Sequence, residues 1–417
     1  MGIFCWKRCR LLVCFFLVFL TGLLLTGCSV YLTNTLKVTG YRQTHPDLRV
    51  LMPVLIPASK VSKKCPNVLE QASIGRWVKH SFNATQLQEL ERFYHTVLKD
   101  RAPLPSTLQR SDGKCGNTTY DSAPATAHWR AVCSPIGKTP CCYNNQCVAR
   151  SVEGCRCEHC FDLRSEIHAE MAEWIPSDVR CRLKQHTPAE LCDLLEGSSL
   201  YFVGDSLIRH TYIAFLMAIR GNYKDGAVRP GLSPEWYRNC TYLNMYGAVA
   251  CRRVLDTPNP YVCGGRVYIG RFAHFKPDKT GELLDLVRNI TNVKRTLIIS
   301  GMALHVNMNY TAVQEYLKPA SDFLNTRGAQ WPKFLFTGLS DFGALKNRRA
   351  MLWSKRDIFN TKMSYFAKRH GVLYLDLYNL TRGVRSFDGN HFGVGLNRAK
   401  VSIISNYIRD LKDKGEW

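Results

Sequence analysis

The chain has 417 residues, enough for one large domain or two of ordinary size. Apolar residues make up 46% of it and charged residues 21%, which supports a full hydrophobic core and excludes a wholly disordered protein. The formal charge of +23 comes from Lys and Arg scattered along the sequence without a recognition motif, so we expect no nucleic-acid partner. An anionic glycan or a membrane surface is the better match for such a charge.

The N-terminal segment predicts membrane attachment. A basic cytosolic tail at residues 1–10 precedes residues 11–32, which contain no charged side chain. A helix of that length measures roughly 33 Å, the thickness of the hydrocarbon core of a bilayer. Basic residues before the span favour a single-pass type II anchor, with the rest of the chain lumenal, in the Golgi or another secretory-pathway membrane. A cleaved signal peptide is the alternative, and it too exports the remainder.

Cysteines and glycosylation sequons are typical of the same compartment. The chain has 18 cysteines, and the even number that follows the predicted span indicates disulfides whose pairing the sequence leaves open. Asn-x-Ser/Thr sequons predict a glycoprotein. They begin at Asn83, Asn117, Asn239, Asn289, Asn309 and Asn379.

Two regions follow the predicted anchor. Residues 33–64 contain prolines but no cysteine before Cys65, and we interpret them as a stem. Residues 65–194 are Cys-rich with little periodicity, which predicts a loop-rich region stapled by disulfides. Cys155, Cys157, His159 and Cys160 suggest a zinc site, but four ligands within six residues suit tetrahedral coordination poorly. We therefore expect disulfides there and no metal.

Residues 195–417 predict an α/β domain, because short apolar runs alternate with helical stretches. We expect a parallel sheet with helices on both faces, hence three layers. The predicted strands lie at 199–203, 295–300, 333–337 and 371–376. The predicted helices lie at 207–219, 310–325, 349–368 and 398–412.

Ser206 follows the first of these strands, in the sequence Gly204-Asp205-Ser206, where a helix begins. Ligands of open α/β sheets bind at the carboxyl ends of strands. The N–H groups of a helix N-terminus can hold an oxyanion beside the serine hydroxyl, and Gly204 permits a tight turn. The alternative is that Ser206 only caps the helix.

Asp388 and His391 lie between the last predicted strand and the last predicted helix, at the same edge of the sheet. A carboxylate and an imidazole three residues apart can approach each other in a tight turn. Asp388 can then hold His391 in the tautomer that accepts a proton from a serine. The sequence therefore predicts a triad of Ser206, His391 and Asp388.

Residues 170 to 410 resemble the SGNH/GDSL hydrolase superfamily. The motifs that carry the resemblance are Gly204-Asp205-Ser206-Leu207 and Asp388-x-x-His391. The closer likeness is to its PC-esterase branch: trichome-birefringence-like polysaccharide O-acetyltransferases, neurexophilin-and-PC-esterase-domain proteins and the lumenal domains of sialic acid O-acetyltransferases. Further matches are Arg209 in a GDSxxR pattern, Trp174-x-Pro176 followed by Cys181, and the strand ending at Gly301 before His305. The resemblance implies an SGNH-like fold and an acyl-ester enzyme.

The sequence departs from the superfamily where a glycine and an asparagine complete the oxyanion hole, since no GxND motif is present. Gly264 or Gly265 is the candidate for the glycine and Asn307 for the asparagine. Gly389 and Phe392 replace the Cys and Trp of the plant DCxHW motif, so the acceptor need not be a plant polysaccharide.

Two side chains near the predicted site have two interpretations each. His305 either binds substrate or is structural. Arg209 either binds an anionic donor or acceptor, or forms a buried ion pair.

The leading functional hypothesis is a lumenal O-acyltransferase, most specifically an O-acetyltransferase of glycan hydroxyls. We expect no bound cofactor. Acetyl-CoA or another acyl donor would be a co-substrate, and because acetyl-CoA is made outside the lumen, a transporter is a possible partner. An ester hydrolase with the same triad is the first alternative. A non-catalytic secreted binding module is the second.

Overall fold

The computed structural model describes residues 64–99, 108–120, 129–255, 259–346 and 349–417. The predicted tail, the predicted anchor at 11–32 and nearly all of the predicted stem lie outside those residues. Within the described part of the chain, no helix combines the length and the apolar character needed to cross a bilayer. The described residues belong to one compact unit that spans 62–417.

Eleven strands and eleven α-helices are present in the described ranges, together with short 3₁₀ turns. The strands are β1 Gly75–Lys79, β2 Cys141–Tyr143, β3 Gln146–Val148, β4 Cys160–Asp162, β5 Ala172–Pro176, β6 Ser199–Gly204, β7 Tyr261–Val262, β8 Val267–Ala273, β9 Thr296–Gly301, β10 Lys333–Thr337 and β11 Leu373–Leu375. The helices are α1 Val68–Gln71, α2 Ala84–Lys99, α3 Pro188–Leu194, α4 Ser206–Ile219, α5 Pro234–Asn239, α6 Asn244–Gly247, α7 Thr280–Ile290, α8 Tyr310–Thr326, α9 Arg349–Arg369, α10 Tyr378–Thr381 and α11 Val394–Asp413.

The main sheet has six strands in the order β11-β10-β9-β6-β8-β7. All neighbours are parallel except the short edge strand β7, which pairs antiparallel with β8. The carboxyl ends of β6, β8 and β9 meet at one edge, because Gly204 is level with Ala273 and with Gly301. Any side chain that follows these strands therefore lies at that edge.

Two hydrophobic clusters cover the two faces of the sheet, which confirms the α/β prediction with a parallel-rich sheet. One cluster joins Phe202 and Ile299 to α4 and α11, and the other joins Val203 and Ile298 to α7, α8 and α9. Helix α4 is buried along its whole length. It therefore lacks the polar face of a surface helix, and its sequence is apolar on more than one side.

The predicted strands and helices of the α/β region are present with small shifts at their ends. Helix α11 begins at Val394, four residues before the predicted start. Its first turn contains Gly395, where a Cβ would lie 2.1 Å from the carbonyl oxygen of Ala169. The glycine allows this close packing. Glycine is also unfavourable inside helices, so its presence argued against extending the predicted helix to Val394. Strand β8 and helix α7 were missed.

The predicted disulfides are confirmed, and all fourteen cysteines of the described ranges are paired. The pairs are Cys65–Cys181, Cys115–Cys142, Cys133–Cys147, Cys141–Cys155, Cys157–Cys160, Cys192–Cys263 and Cys240–Cys251. Strands β3, β2 and β4 form a small antiparallel sheet inside the Cys-rich region. The three cysteines of the candidate zinc cluster are among these pairs, so none offers a free thiolate.

Buried ion pairs join helix α2 and the Cys-rich region to the segment just before Asp388. Arg385 is 1% exposed and its guanidinium contacts Glu91 at 3.0 Å and Glu166 at 3.2 Å. The second carboxylate oxygen of Glu91 lies 3.0 Å from Nε2 of His168. These contacts anchor the segment that leads into the predicted Asp388–His391 turn.

This network predicts acid sensitivity of the fold. Burial alone would raise the pKa of the Glu91 carboxyl, but Arg385 and His168 outweigh it and lower the pKa from 4.5 to about 2. Because the folded state then binds fewer protons than the unfolded state, this stabilisation is present above about pH 5 and is lost as pH falls towards 2. We expect urea unfolding at pH 7, 5 and 3 to show this decline. A Glu91→Gln variant should be less stable at pH 7 and should show a flatter decline.

Candidate active site

Ser206 is the first residue of α4 and lies directly beyond the carboxyl end of β6. The chain turns there at Gly204, where a Cβ would lie 2.2 Å from the carbonyl oxygen of Gly301, so only glycine fits. Asp205 is the N-cap, and its Oδ1 accepts a hydrogen bond from the N–H of Leu207 at 2.9 Å. Its own N–H donates to the Gly301 carbonyl at 3.2 Å, which fixes the helix start against β9.

Asp388 and His391 lie in a tight turn just before α11. Oδ1 of Asp388 accepts the N–H of Asn390 at 3.0 Å and the N–H of His391 at 2.8 Å. Gly389 makes the turn possible with φ of +80°, and its carbonyl accepts the N–H of Gly343 at 2.9 Å. Phe387 N–H donates to the His391 carbonyl at 3.2 Å, which closes the turn.

The structure brings Ser206, His391 and Asp388 into one hydrogen-bonded line. Oγ of Ser206 lies 2.7 Å from Nε2 of His391, and Nδ1 of His391 lies 2.7 Å from Oδ2 of Asp388. A carboxylate only accepts hydrogen bonds, so Nδ1 carries a proton and Nε2 is left to accept the serine proton. The three residues are 8%, 9% and 4% exposed, which keeps bulk water away from most of the line.

Residues of the Cys-rich region position this turn. Nε1 of Trp129 donates to the Asp388 carbonyl at 3.3 Å, and the N–H of Arg130 donates to the Leu345 carbonyl at 2.8 Å. Lys346, the next residue, packs against Gly389, where a Cβ would lie 3.1 Å from the Lys346 nitrogen. No local sequence signal identifies Trp129, because its partner lies more than two hundred residues further along the chain.

Substituting Gly389 tests how tightly the turn is held. Gly389→Ala forces a Cβ onto a positive φ and against the Lys346 backbone, so we expect about 1–3 kcal/mol of destabilisation and slower acylation of Ser206. Gly383→Ala is the matched control, since Gly383 has φ of +72° but open space around a Cβ. The measurements are the melting temperature and the rate of fluorophosphonate labelling. Equal effects of the two variants would show that the Lys346 contact is unimportant.

Two buried charges lie near the start of α4. Burial raises the pKa of the Asp205 carboxyl, against the opposing effects of the N–H groups of Leu207 and Ala303. Burial lowers the pKa of Lys400, on α11, to about 8, and Asp205 opposes that shift. The Leu207 N–H is therefore directed at the Asp205 carboxylate.

Arg209 and His305 occupy different environments near this edge. Arg209 is 3% exposed, and its Nη2 lies 3.1 Å from Nε2 of His210, whose ring centroid is 5.0 Å from that of His391. The Arg209 side chain is therefore almost fully shielded from solvent. His305 is exposed, packs against Phe275 at 5.0 Å between ring centroids, and acts electrostatically on Asp205.

The predictions for the oxyanion glycine need correction. Gly264 and Gly265 lie in the turn between β7 and β8, and the parallel register places them before the strand starts. They are therefore at the opposite edge of the sheet, roughly 20 Å from Ser206 at about 3.3 Å per strand residue. At the active edge, β8 instead ends at Ala273, and His274 follows it.

The remaining candidates lie near the active edge or on the surface. Gly301 ends β9 and contacts the Gly204–Asp205 turn, as described above. Asn307 is exposed with φ of 49° and follows the turn that contains His305. Five of the six sequon asparagines are exposed and the sixth, Asn379, is half-buried.

Sequence reasoning missed His274, which is 3% exposed at the end of β8. Its N–H donates to the Gly204 carbonyl at 3.1 Å, and its Nδ1 lies 2.7 Å from the hydroxyl of Tyr316. Burial lowers the pKa of its imidazole, partly opposed by Glu282. A correct prediction of β8 would have found it, because it follows a parallel strand at the same edge as Ser206.

Comparisons with known proteins identify no relative by sequence. No protein-family model matches the chain. No curated protein matches it either. Among solved structures, an extracellular lipase from Streptomyces rimosus aligns with a TM-score of 0.26 and 11% identity over 50% of this chain and 99% of its own. A putative arylesterase from Agrobacterium tumefaciens aligns with a TM-score of 0.29 and 13% identity over 51% of this chain and 99% of its own. Likenesses this weak carry no conclusion about activity.

Proposed function

We propose that this protein is a serine-dependent acyl-ester enzyme that forms an acyl-enzyme on Ser206. The observation that carries the proposal is the line of two 2.7 Å contacts from the Ser206 hydroxyl through His391 to the Asp388 carboxylate. A helix cap needs only its own backbone partners. It does not need an imidazole oriented by a buried carboxylate.

The chemistry follows from the positions of the atoms. Oγ of Ser206 attacks the acyl carbonyl carbon while Nε2 of His391 takes its proton, and Asp388 stabilises the imidazolium. The N–H of Ser206 stands at the start of α4, where it has no acceptor inside the helix, and is available to donate to the developing oxyanion. The proton passes to the leaving group as the tetrahedral intermediate collapses to the acyl-enzyme.

For the second half of the reaction we propose transfer to a hydroxyl of a glycan, with an acetyl group as the cargo. Support comes from the PC-esterase resemblance, from the sequons and disulfides of a secretory-pathway protein, and from the low exposure of Ser206 and His391, which disfavours attack by bulk water. His391 would take the proton of the sugar hydroxyl as that oxygen attacks the acyl carbon. Acetyl-CoA or another acyl donor would have to reach the lumen through a partner transporter.

Trapping the acyl-enzyme tests this proposal. Wild-type protein and Ser206→Ala are treated with a fluorophosphonate probe and with radiolabelled acetyl donor, with and without a glycan acceptor. We expect both labels on the wild type and neither on the variant, and chase of the acetyl label by the acceptor. Chase by water alone would make the protein an ester hydrolase. A folded wild type that takes neither label would contradict a serine enzyme.

A further inference from the structure

The disulfide Cys157–Cys160 differs from the other pairs of the described residues in its accessibility and its spacing. Cys157 is exposed, whereas every other cysteine of the described ranges is buried or half-buried. Its sequence separation from Cys160 is 3, against 11 to 116 for the other six pairs. In the chain-entropy view, a cross-link stabilises a fold less when the loop that it closes is shorter. This pair is therefore a weak staple for the fold and is open to a reagent from solution.

A cation contacts the exposed sulfur. Nη1 of Arg150 donates to Sγ of Cys157 at 3.3 Å and to the carbonyl of Gly154 at 3.5 Å. The guanidinium also lies over the ring of Tyr143, 3.9 Å from its centroid, which helps to fix its position. The thiolate is the reactive form in disulfide exchange, and a neighbouring positive charge favours it. Arg150 therefore favours both the approach of a thiolate to Cys157 and the release of a thiolate at Cys157.

The strand register brings Cys160 next to a second disulfide, which is buried. Cys160 stands opposite Tyr143, and Cys141 stands opposite Asp162, in the β2–β4 pair. Because side chains alternate between the two faces of a strand, Cys160 and Cys141 share one face. The Sγ atoms of Cys160, Cys141 and Cys155 lie within 4.8 Å of one another. Cys141 and Cys155 are bonded together and are 0% and 4% exposed, so a reagent in solution does not reach them directly.

We propose that Cys157–Cys160 is a thiol-exchange site, at which a small thiol enters and through which the buried Cys141–Cys155 disulfide is opened. The inference stands on the arrangement of these two disulfides and of Arg150. It is independent of the proposed acyl-ester activity.

The exchange balances in electrons and protons. The thiolate of the small thiol attacks Sγ of Cys157, and the electron pair of the broken bond leaves on Sγ of Cys160. The Cys160 thiolate then attacks Cys141 or Cys155, forms a new disulfide with it and expels the other sulfur as a thiolate. A second small thiol attacks the sulfur of the first and departs with it as a small-molecule disulfide. Two small thiols are oxidised, one protein disulfide is reduced, and the two protons end on Cys157 and on the sulfur that Cys160 expelled.

Alkylation mapping of the full-length protein tests the site. The protein is incubated with reduced glutathione, quenched at intervals with N-ethylmaleimide and analysed by peptide mass spectrometry. We expect glutathione to appear first on Cys157, and N-ethylmaleimide to appear afterwards on Cys141 or Cys155. Cys240–Cys251 is the internal control, because its cysteines are equally buried, at 0% and 1% exposure. It should stay oxidised.

Cys160→Ser removes the relay and leaves the exposed thiol of Cys157. We expect Cys141–Cys155 to open in this variant about tenfold or more slowly than in the wild type, because buried disulfides exchange slowly with a thiol in solution. A melting curve without thiol shows whether the variant is folded. The order of labelling in the wild type decides the matter without any variant, since the adduct on Cys157 must precede the opening of Cys141–Cys155.

Arg150→Gln tests the cation. It should take up glutathione at Cys157 more slowly than Arg156→Gln, the matched control, which removes an exposed charge next to Cys157 along the chain. Equal rates in the two variants would contradict the role of Arg150. Absence of glutathione from Cys157 of the wild type would overturn the whole inference. So would opening of Cys141–Cys155 at the wild-type rate in Cys160→Ser, or equally fast opening of Cys240–Cys251.

Discussion

Asp388→Asn is expected to lower the rate of acylation of Ser206 by about 10³–10⁴-fold while leaving the fold intact. The amide oxygen can replace Oδ1 as acceptor for the N–H groups of Asn390 and His391, so the turn keeps its shape. The amide nitrogen then faces Nδ1 of His391 and donates to it. The imidazole proton moves to Nε2, which can no longer accept the proton of Ser206.

The second-order rate constant of fluorophosphonate labelling measures this effect, and a melting curve shows that the protein is folded. Asp376→Asn is the matched control, because Oδ1 of Asp376 also accepts a backbone N–H, from Tyr378 at 2.9 Å, at the start of a helix away from His391. It should label at nearly the wild-type rate. If Asp388→Asn also labels within tenfold of wild type, Asp388 does not orient His391.

Arg385→Met is expected to cost about 3–5 kcal/mol of the free energy of unfolding. The substitution keeps most of the buried volume but leaves the carboxylates of Glu91 and Glu166 without their cation in a dry environment. Neutralising them in the same chain, with Glu91→Gln and Glu166→Gln, should recover part of the loss. Denaturant unfolding at pH 7 measures all of these variants.

Arg180→Met provides the comparison on the surface. Arg180 also forms an ion pair, with Asp178 at 2.7 Å, but both groups are accessible to solvent. Exposed pairs contribute little because water screens them, so we expect a change too small to resolve. Similar unfolding of Arg385→Met and the wild type would show that the buried carboxylates find other partners or become protonated.

The sequence predicted the parts of this molecule whose signals are local. An apolar strand, a small turn and a helix surround Ser206 within twenty residues, and their geometry depends on neighbours along the chain. The turn of Asp388 and His391 is equally local, since its hydrogen bonds join residues two or three apart. Parallel connectivity then placed both at one edge, because all strands of such a sheet end on the same side.

The sequence could not predict features that depend on register or on distant contacts. Strand β8 is interrupted by Gly270 and by the charged Arg271, so its pattern resembled a loop. Because β8 was missed, nothing in the sequence showed that Gly264 and Gly265 precede the beginning of a strand instead of following its end. The contact of Trp129 with Asp388 joins residues 259 positions apart and has no periodic signature.

The dependence of the Asp388–His391 turn on the Cys-rich region has a consequence under reducing conditions. Trp129 and Arg130, which hold that turn, lie just before Cys133, which is paired with Cys147. Ala131, which follows Arg130, is hydrogen-bonded to Gly116 and Thr118. Those two residues come shortly after Cys115, which is paired with Cys142. In a reduced chain the disulfides that flank Trp129 and Arg130 are absent, so the turn that holds His391 loses part of its support. We therefore expect reduction of these disulfides to loosen the alignment of His391 with Ser206.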